Sequence, residues 1–234
     1  MSRTAVVTGG TRGIGRATVE RLLADGLRVC FCGRDAEAGR QVEEEVGGHF
    51  VACDVAREDD VRALIEACAE RVGPPDVLVN NAGVNANYRA HEMTGEEWDA
   101  FFAVDLKAAW LCAKHALPHM LATGAGAIVN VSSIHAAATR EGFFPYAAAK
   151  SGLVGLTRSL ALDYGPRGIR VNCVCPGFTD TRLVRAGPEG VALGRIAEPR
   201  EIAGAIAFLV SPDASYVTGA TLFVDGGLTA RRAG

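Results

Sequence analysis

The chain has 234 residues, a formal net charge of −3, 49% hydrophobic and 22% charged residues and 28 glycines, the profile of an ordinary globular protein with many tight turns. A balance so close to neutral excludes the basic footprint expected of a nucleic-acid-binding surface, and no apolar run reaches the ~18 residues of a membrane span. Met1-Ser2-Arg3-Thr4 leads straight into the first apolar run without a signal-peptide pattern, and the seven cysteines sit in apolar segments as buried thiols rather than metal ligands, so a cytoplasmic protein without a metal site is expected.

From Arg3 onward, short β-branched runs alternate with long amphipathic stretches, the pattern of a parallel sheet with helices on both faces. Strands are expected at 3–8, 28–32, 49–53, 76–80, 126–132, 168–174 and 221–224, and helices at 13–25, 36–46, 57–72, 96–122, 146–164 and 199–209. Thr94, Gly95, Glu96 and Glu97 give the fourth helix its start signal. No repeat or linker interrupts the series. Residues 1–234 are therefore expected to form a single α/β domain, a Rossmann-like doubly wound parallel sheet of seven strands ordered 3-2-1-4-5-6-7.

The first strand ends in Thr8-Gly9-Gly10-Thr11-Arg12-Gly13-Ile14-Gly15, followed at once by a helical pattern. Gly9, Gly13 and Gly15 permit a tight turn, a close approach of backbone to a pyrophosphate and close helix–sheet packing, while Thr11, Arg12 and Ile14 complete a loop whose helix N-terminus offers amides to an anion. The spacing G-x-x-x-G-x-G departs from the usual G-x-G-x-x-G of dinucleotide folds, and a ligand-free glycine turn is the bland alternative. At the tip of the second strand, where a carboxylate would accept from both ribose hydroxyls, stands Gly33. Arg34 beside it and Arg12 in the glycine loop can flank a 2′-phosphate, which favours NADP(H) over NAD(H). The alternative is that both arginines are merely solvated, and Asp35 weighs the other way. Asp54 and Val55 follow the third strand, where a short acid can accept from an adenine amino group. Asn80-Asn81-Ala82-Gly83 closes the fourth beside the topological switch point, giving Asn81, Ala82 and Gly83 a place on the cofactor side.

Tyr146 and Lys150 lie four residues apart on one helix face, about 5–6 Å apart at Cβ, close enough for the cation to favour the phenolate form of the phenol. An ordinary phenol of pKa ~10 is a poor proton carrier near neutrality, so such a pair is a candidate general acid, although Tyr-x-x-x-Lys alone also occurs by chance on surface helices.

With the glycine turn, Asn80-Asn81-Ala82-Gly83, Ser133, Tyr146, Lys150 and Pro176-Gly177 in this order, the chain resembles the short-chain dehydrogenase/reductase family over essentially its whole length, and is similar overall to 3-oxoacyl carrier-protein reductases. The resemblance implies nicotinamide-dependent hydride transfer between a carbonyl and an alcohol, with the hydride chemistry supplied by the cofactor. It also implies that Ser133, thirteen residues before Tyr146, holds the substrate oxygen, with Ser132 structural, and that Tyr146 moves the proton beside the cofactor. Lys150 is implied to bind the nicotinamide ribose and to make the phenol more acidic, while the loop Pro176-Gly177-Phe178-Thr179-Asp180-Thr181 contacts the carboxamide and pyrophosphate through Thr179 and Thr181.

Two departures stand out. Many relatives have an asparagine in a Val-Asn-Leu-Lys-like run that helps hold a water in a proton relay to the lysine, where this chain has Val104-Asp105-Leu106-Lys107. An ionised aspartate accepts but cannot donate, so reduced rather than abolished turnover is expected. The segment 182–193 is also shorter than the lid of many relatives and predicts an open cleft. His135 is either a substrate contact or packed against loop backbone, and Trp98, Trp110, Phe143 and Phe144 are expected in the core or at a subunit interface.

The function expected is an NADP(H)-dependent reductase of a small-molecule or carrier-tethered 3-oxoacyl or related β-keto carbonyl. A sugar, polyol or cyclic alcohol dehydrogenase is the alternative within the class, and a low-activity nucleotide-binding regulatory protein the alternative outside it. Helices 96–122 and 146–164 are long and apolar enough for a two-fold interface, and similar proteins are commonly tetramers, so a homo-oligomer, tetramer or dimer, is expected.

Overall fold

Strands buried on both faces need unbroken apolar runs, and those of this chain have them: Thr4–Thr8 (β1) is buried throughout, as is Val77–Asn80 (β4). The computed structural model describes residues 2–181 and 187–230. In chain order the other elements are Gly13–Ala24 (α1), Arg28–Gly33 (β2), Ala36–Val46 (α2), His49–Ala52 (β3), Glu58–Arg71 (α3), Gly95–Phe102 (α4), Ala108–Thr123 (α5), Gly126–Val131 (β5), Phe144–Tyr164 (α6), Ile169–Pro176 (β6), Pro199–Val210 (α7) and Thr221–Val224 (β7). All seven strands pair in parallel in the order β3-β2-β1-β4-β5-β6-β7, as expected.

Alternate side chains of each strand point to opposite faces, so the sheet carries two cores. Val6, Leu78 and Ile128 pack under Leu64, Ile65, Leu111, Cys112 and Met120 of α3 and α5. Val7, Val79 and Val129 on the other face pack under Val19 and Leu22 of α1 and Ile202 and Ile206 of α7. All seven cysteines are buried as free thiols, and burial pushes the Cys112 thiol above its ordinary range. No helix among the described residues is long and apolar enough to cross a membrane.

The long helix expected over 96–122 is divided. Thr94 caps α4 as its sequence predicts, accepting from Glu97 N at 3.1 Å while Glu97 Oε2 accepts from Thr94 N at 2.8 Å. After Phe102 the chain widens into a π turn, Ala103–Lys107, and the Ala108 amide reaches back to the Ala103 carbonyl before α5 begins. α6 starts two residues earlier than expected, at Phe144, because Pro145 lacks only an amide that the first turn leaves unpaired anyway.

Candidate active site

The carboxyl ends of β1, β4, β5 and β6 open onto one cleft of about 1340 Å³. Gly9 has φ +66°, and a Cβ on Gly15 would stand 2.0 Å from the Gly9 carbonyl oxygen, so the turn closes only without side chains there. β4 buttresses it from below: the Thr8 hydroxyl oxygen accepts from the amides of Asn81 and Ala82 at 3.0 Å each, and the Asn81 side-chain amide donates to the Thr8 and Gly9 carbonyls at 3.0 and 3.2 Å. Asn81 thus lines the cleft while its amide holds the glycine turn in shape. No side chain caps α1, which leaves the amides of its first turn facing the cleft. This cradle fits the pyrophosphate of a dinucleotide, with Thr11, Arg12, Gly13 and Ile14 along its wall.

At the tip of β2, a Cβ on Gly33 would meet Thr11 Cγ2 at 2.7 Å. Arg12 and Arg34 are both exposed and both line the cleft. Asp35 does not line it: its carboxylate caps α2, accepting from the amides of Glu37 and Ala38 at 3.1 and 3.0 Å. Asp54 and buried Val55 form the neighbouring wall, where Asp54 Oδ1 accepts from the Ala56 amide at 3.1 Å.

The second half of the cleft gathers Ser133, Tyr146 and Lys150. Ser133, at the turn after β5, is buried, and its hydroxyl oxygen accepts from the His135 amide at 3.2 Å. Tyr146 is half-buried in the first turns of α6, and Lys150, one turn on, holds its ammonium 5.3 Å from the centre of the phenol ring. The Lys150 Nζ is 3.1 Å from Asp105 Oδ1, with side-chain exposures of 4% and 0%, and also donates to the Val131 carbonyl at 3.5 Å. Burial pulls the Lys150 ammonium down, but the charges of Asp105 and Tyr146 outweigh it and hold it above its ordinary range. Asp105 Oδ2 accepts from the Val84 amide at 2.9 Å, and Gly83 lies over the pair with no room for a larger residue.

Several placements differ from the sequence reading. Thr179 lines the cleft but is buried, with its hydroxyl donated to the Gly177 carbonyl at 3.1 Å. Thr181 instead approaches Gly13 across the cleft, and a Cβ on that glycine would lie 3.2 Å from its methyl. Gly177 packs against Asp225, while Pro176 lines the cleft floor. Phe143 stands in the cleft rather than the core: its ring stacks on His135 at 4.6 Å and meets Tyr146 edge-on at 6.3 Å. Trp98 stacks on Phe102 and Phe144 at a half-exposed position, and Trp110 is 44% exposed under Lys114. His135 lines the cleft beside Tyr146, and burial, reinforced by Arg140, lowers its pKa and favours the neutral imidazole. Of the short lid at 182–193, residues 182–186 lie outside the described residues. The sequence reading missed Val84, Arg140 and Phe178, which also line the cleft; loop residues of this kind carry no periodic signal.

A seven-stranded doubly wound sheet, a glycine turn over an uncapped helix and a phenol–ammonium pair at the switch point define a dinucleotide-dependent oxidoreductase. A family model described as enoyl-(acyl carrier protein) reductase matches residues 9–229. The chain is 47% identical to the cis-4-hydroxycyclohexanecarboxylate dehydrogenase of Sinomonas cyclohexanicum, covering 97% of each chain. Among solved structures, the 3-ketoacyl-(acyl-carrier-protein) reductase of Brucella melitensis in complex with NADH superposes with a TM-score of 0.94 at 33% identity, covering 97% of this chain and 98% of that one. A blue fluorescent protein from a metagenomic library, in complex with NADPH, does so with a TM-score of 0.90 at 38% identity, covering 97% of each. The chain belongs to the short-chain dehydrogenase/reductase family and is a nicotinamide-dependent oxidoreductase acting between carbonyl and alcohol.

Proposed function

We propose that residues 1–234 form one dinucleotide-binding and catalytic domain that interconverts a ketone and a secondary alcohol with NADP(H). The observation that carries this is the meeting of Ser133, Tyr146 and Lys150 in the cleft that begins at the glycine turn. When bound, the reduced nicotinamide supplies the hydride to the carbonyl carbon. Ser133 hydrogen-bonds the carbonyl oxygen, and Tyr146 donates its phenolic proton to that oxygen as negative charge develops on it. Lys150 holds the ribose hydroxyls and favours the phenolate left behind. Alcohol oxidation runs the same steps backwards, with the Tyr146 phenolate taking the hydroxyl proton.

The preference for NADP(H) rests on Arg12 and Arg34, two exposed cations along the adenine side of the cleft, and on Asp35, whose engagement as the cap of α2 removes the carboxylate that would oppose a 2′-phosphate. For the substrate, a compact cyclic secondary alcohol or its ketone is supported by the ring wall of His135 and Phe143 beside Tyr146 and by the 47% identity to a dehydrogenase of a hydroxycyclohexane carboxylate. A second reading, a 3-oxoacyl thioester reduced by the same residues, is favoured by the close superposition on a 3-ketoacyl reductase. Half-exposed Trp110 on α5 and exposed Leu162 on α6 support association into a dimer or tetramer through these helices, and the cytoplasm suits the reduced thiols.

Following NADPH and NADH oxidation against cyclohexanone, 4-oxocyclohexanecarboxylate, a ketose and an acetoacetyl thioester tests the assignment. NADPH-dependent turnover of the cyclic ketones, reduced at least about 100-fold in Tyr146→Phe, is the expected result. Full activity of Tyr146→Phe would refute the enzymatic roles.

A further inference from the structure

The proton donor of this site works beside a neutralised lysine. The Lys150 ammonium has a carboxylate 3.1 Å away, and both side chains are sealed from solvent. In such surroundings the field of a charge is weakly screened, and that of an adjacent opposite pair largely cancels beyond a few ångströms. Asp105 is also fixed. It sits in the π turn Ala103–Lys107, its Oδ2 accepts from the Val84 amide at 2.9 Å, and Gly83 covers the pair, so it cannot swing away when ligands enter.

We propose that Asp105 is a fixed countercharge that withholds part of the pull of Lys150 from the Tyr146 phenol, disfavouring its phenolate form and so favouring its role as proton donor. This rests on the assignment of Tyr146 as the proton carrier. Asp105 reaches the Tyr146 phenol through the ammonium of Lys150, so it is a positioning residue.

The other groups facing the pair do not supply this control. On α6 the neighbour is Tyr146 itself. From β6 come buried Cys173, whose thiol is pushed above its ordinary range, and buried Cys175, whose thiol the Cys173 hydrogen bond pulls below its own; the Asp105→Asn comparison leaves both in place. The turn after β5 contributes the hydroxyls of Ser132 and Ser133 and the imidazole of His135, whose lowered pKa favours its neutral form. The Arg140 guanidinium beyond it is held 4.7 Å over the Phe143 ring, at an exposed position where solvent screens its charge.

The sign follows directly. A carboxylate beside the ammonium disfavours the phenolate, so removing its charge favours the phenolate. Asp105→Asn keeps an acceptor for the Val84 amide and nearly the same volume, and removes only the charge. The decisive measurement is the phenolate absorbance of the cofactor-free protein against pH, with the Tyr146→Phe titration subtracted. The Tyr146 signal is expected to develop roughly one pH unit lower in Asp105→Asn than in the native chain. In turnover, the acid limb of alcohol oxidation and the alkaline limb of carbonyl reduction move down together by the same interval. A merely structural residue would lower both directions alike without moving either limb. If Asp105→Asn fails to fold, Asp105→Ser removes the same charge and carries the same measurement. An unmoved or upward-shifted phenol titration overturns the proposal. Because that titration needs no turnover, it stands apart from the Tyr146→Phe activity test, whose failure would sink the assignment of function instead.

Discussion

Ser132 donates its hydroxyl to the backbone carbonyl of Lys150 at 2.8 Å, tying the end of β5 to α6 at the residue that carries the ammonium. Both Ser132 and its neighbour Ser133 line the cleft, but the Ser133 hydroxyl oxygen accepts from the His135 amide of its own turn instead of joining two elements. Ser133→Ala is expected to lower kcat/KM by about 10²–10³ without changing the melting temperature, since it removes a donor to developing negative charge. Ser132→Ala is expected to cost about 1 kcal/mol of stability and only a few-fold in rate. Steady-state kinetics paired with thermal melts check both, and the reverse pattern would exchange their roles.

Removing the cation from the Asp105–Lys150 pair leaves a carboxylate sealed from water. Lys150→Met is expected to destabilise the fold by about 3–5 kcal/mol at neutral pH. A buried, unpaired carboxylate binds a proton more readily in the folded than in the unfolded chain, so the stability is present below the unfolded carboxylate range and is lost as pH rises from there through the raised folded pKa. Lys150→Met with Asp105→Asn removes both charges and recovers most of the loss. Denaturant unfolding at acid and neutral pH tests this, and equal losses at both pH values would contradict it.

Arg34 makes no ion pair among the described residues and lines the cleft beside Gly33. Arg34→Ala is expected to raise the KM for NADPH by roughly ten- to a hundredfold, the range for one charge-assisted hydrogen bond, with the KM for NADH nearly unchanged. Equal effects on both cofactors would show that Arg34 does not read the 2′-phosphate.

Gly15→Ala would place a methyl 2.0 Å from the Gly9 carbonyl and 2.5 Å from the Asn81 amide nitrogen, against backbone that cannot yield. Dinucleotide binding by fluorescence titration is expected to fall by more than about tenfold, with stability lowered by about 1–3 kcal/mol. Unchanged binding would remove the glycine turn from the cofactor site.

The sheet was legible because a strand buried on both faces leaves an apolar run that no other element imitates at that length, and the order followed from right-handed crossovers. β6 runs on to Pro176, beyond the residue 174 expected, since Cys175 and Pro176 pair with β7, a partner far along the chain. The π turn was invisible because shifting hydrogen bonds by one residue barely alters an apolar pattern. Asp35 read equally well as a ribose ligand or a helix cap until its carboxylate was seen on the amides of Glu37 and Ala38. Phe143 precedes a proline-started helix, so its sequence context spoke for packing while tertiary contacts put it against His135. The family resemblance already linked residue 105 to the lysine, but the direct ion pair of Asp105 with Lys150 joins two elements that meet only in the folded chain.

The π turn also takes up one residue while leaving the phase of the helix after it nearly unchanged. One residue more than an α-helical turn requires is accommodated between Phe102 and Ala108, so deleting a single residue there would let α4 and α5 fuse into one regular helix. α5 would then keep nearly its present phase, with Leu111, Cys112 and Met120 still on the sheet, while the wide turn that carries Asp105 to Lys150 would be lost. A single-residue deletion in this stretch is therefore a lesion of the cleft that spares the core.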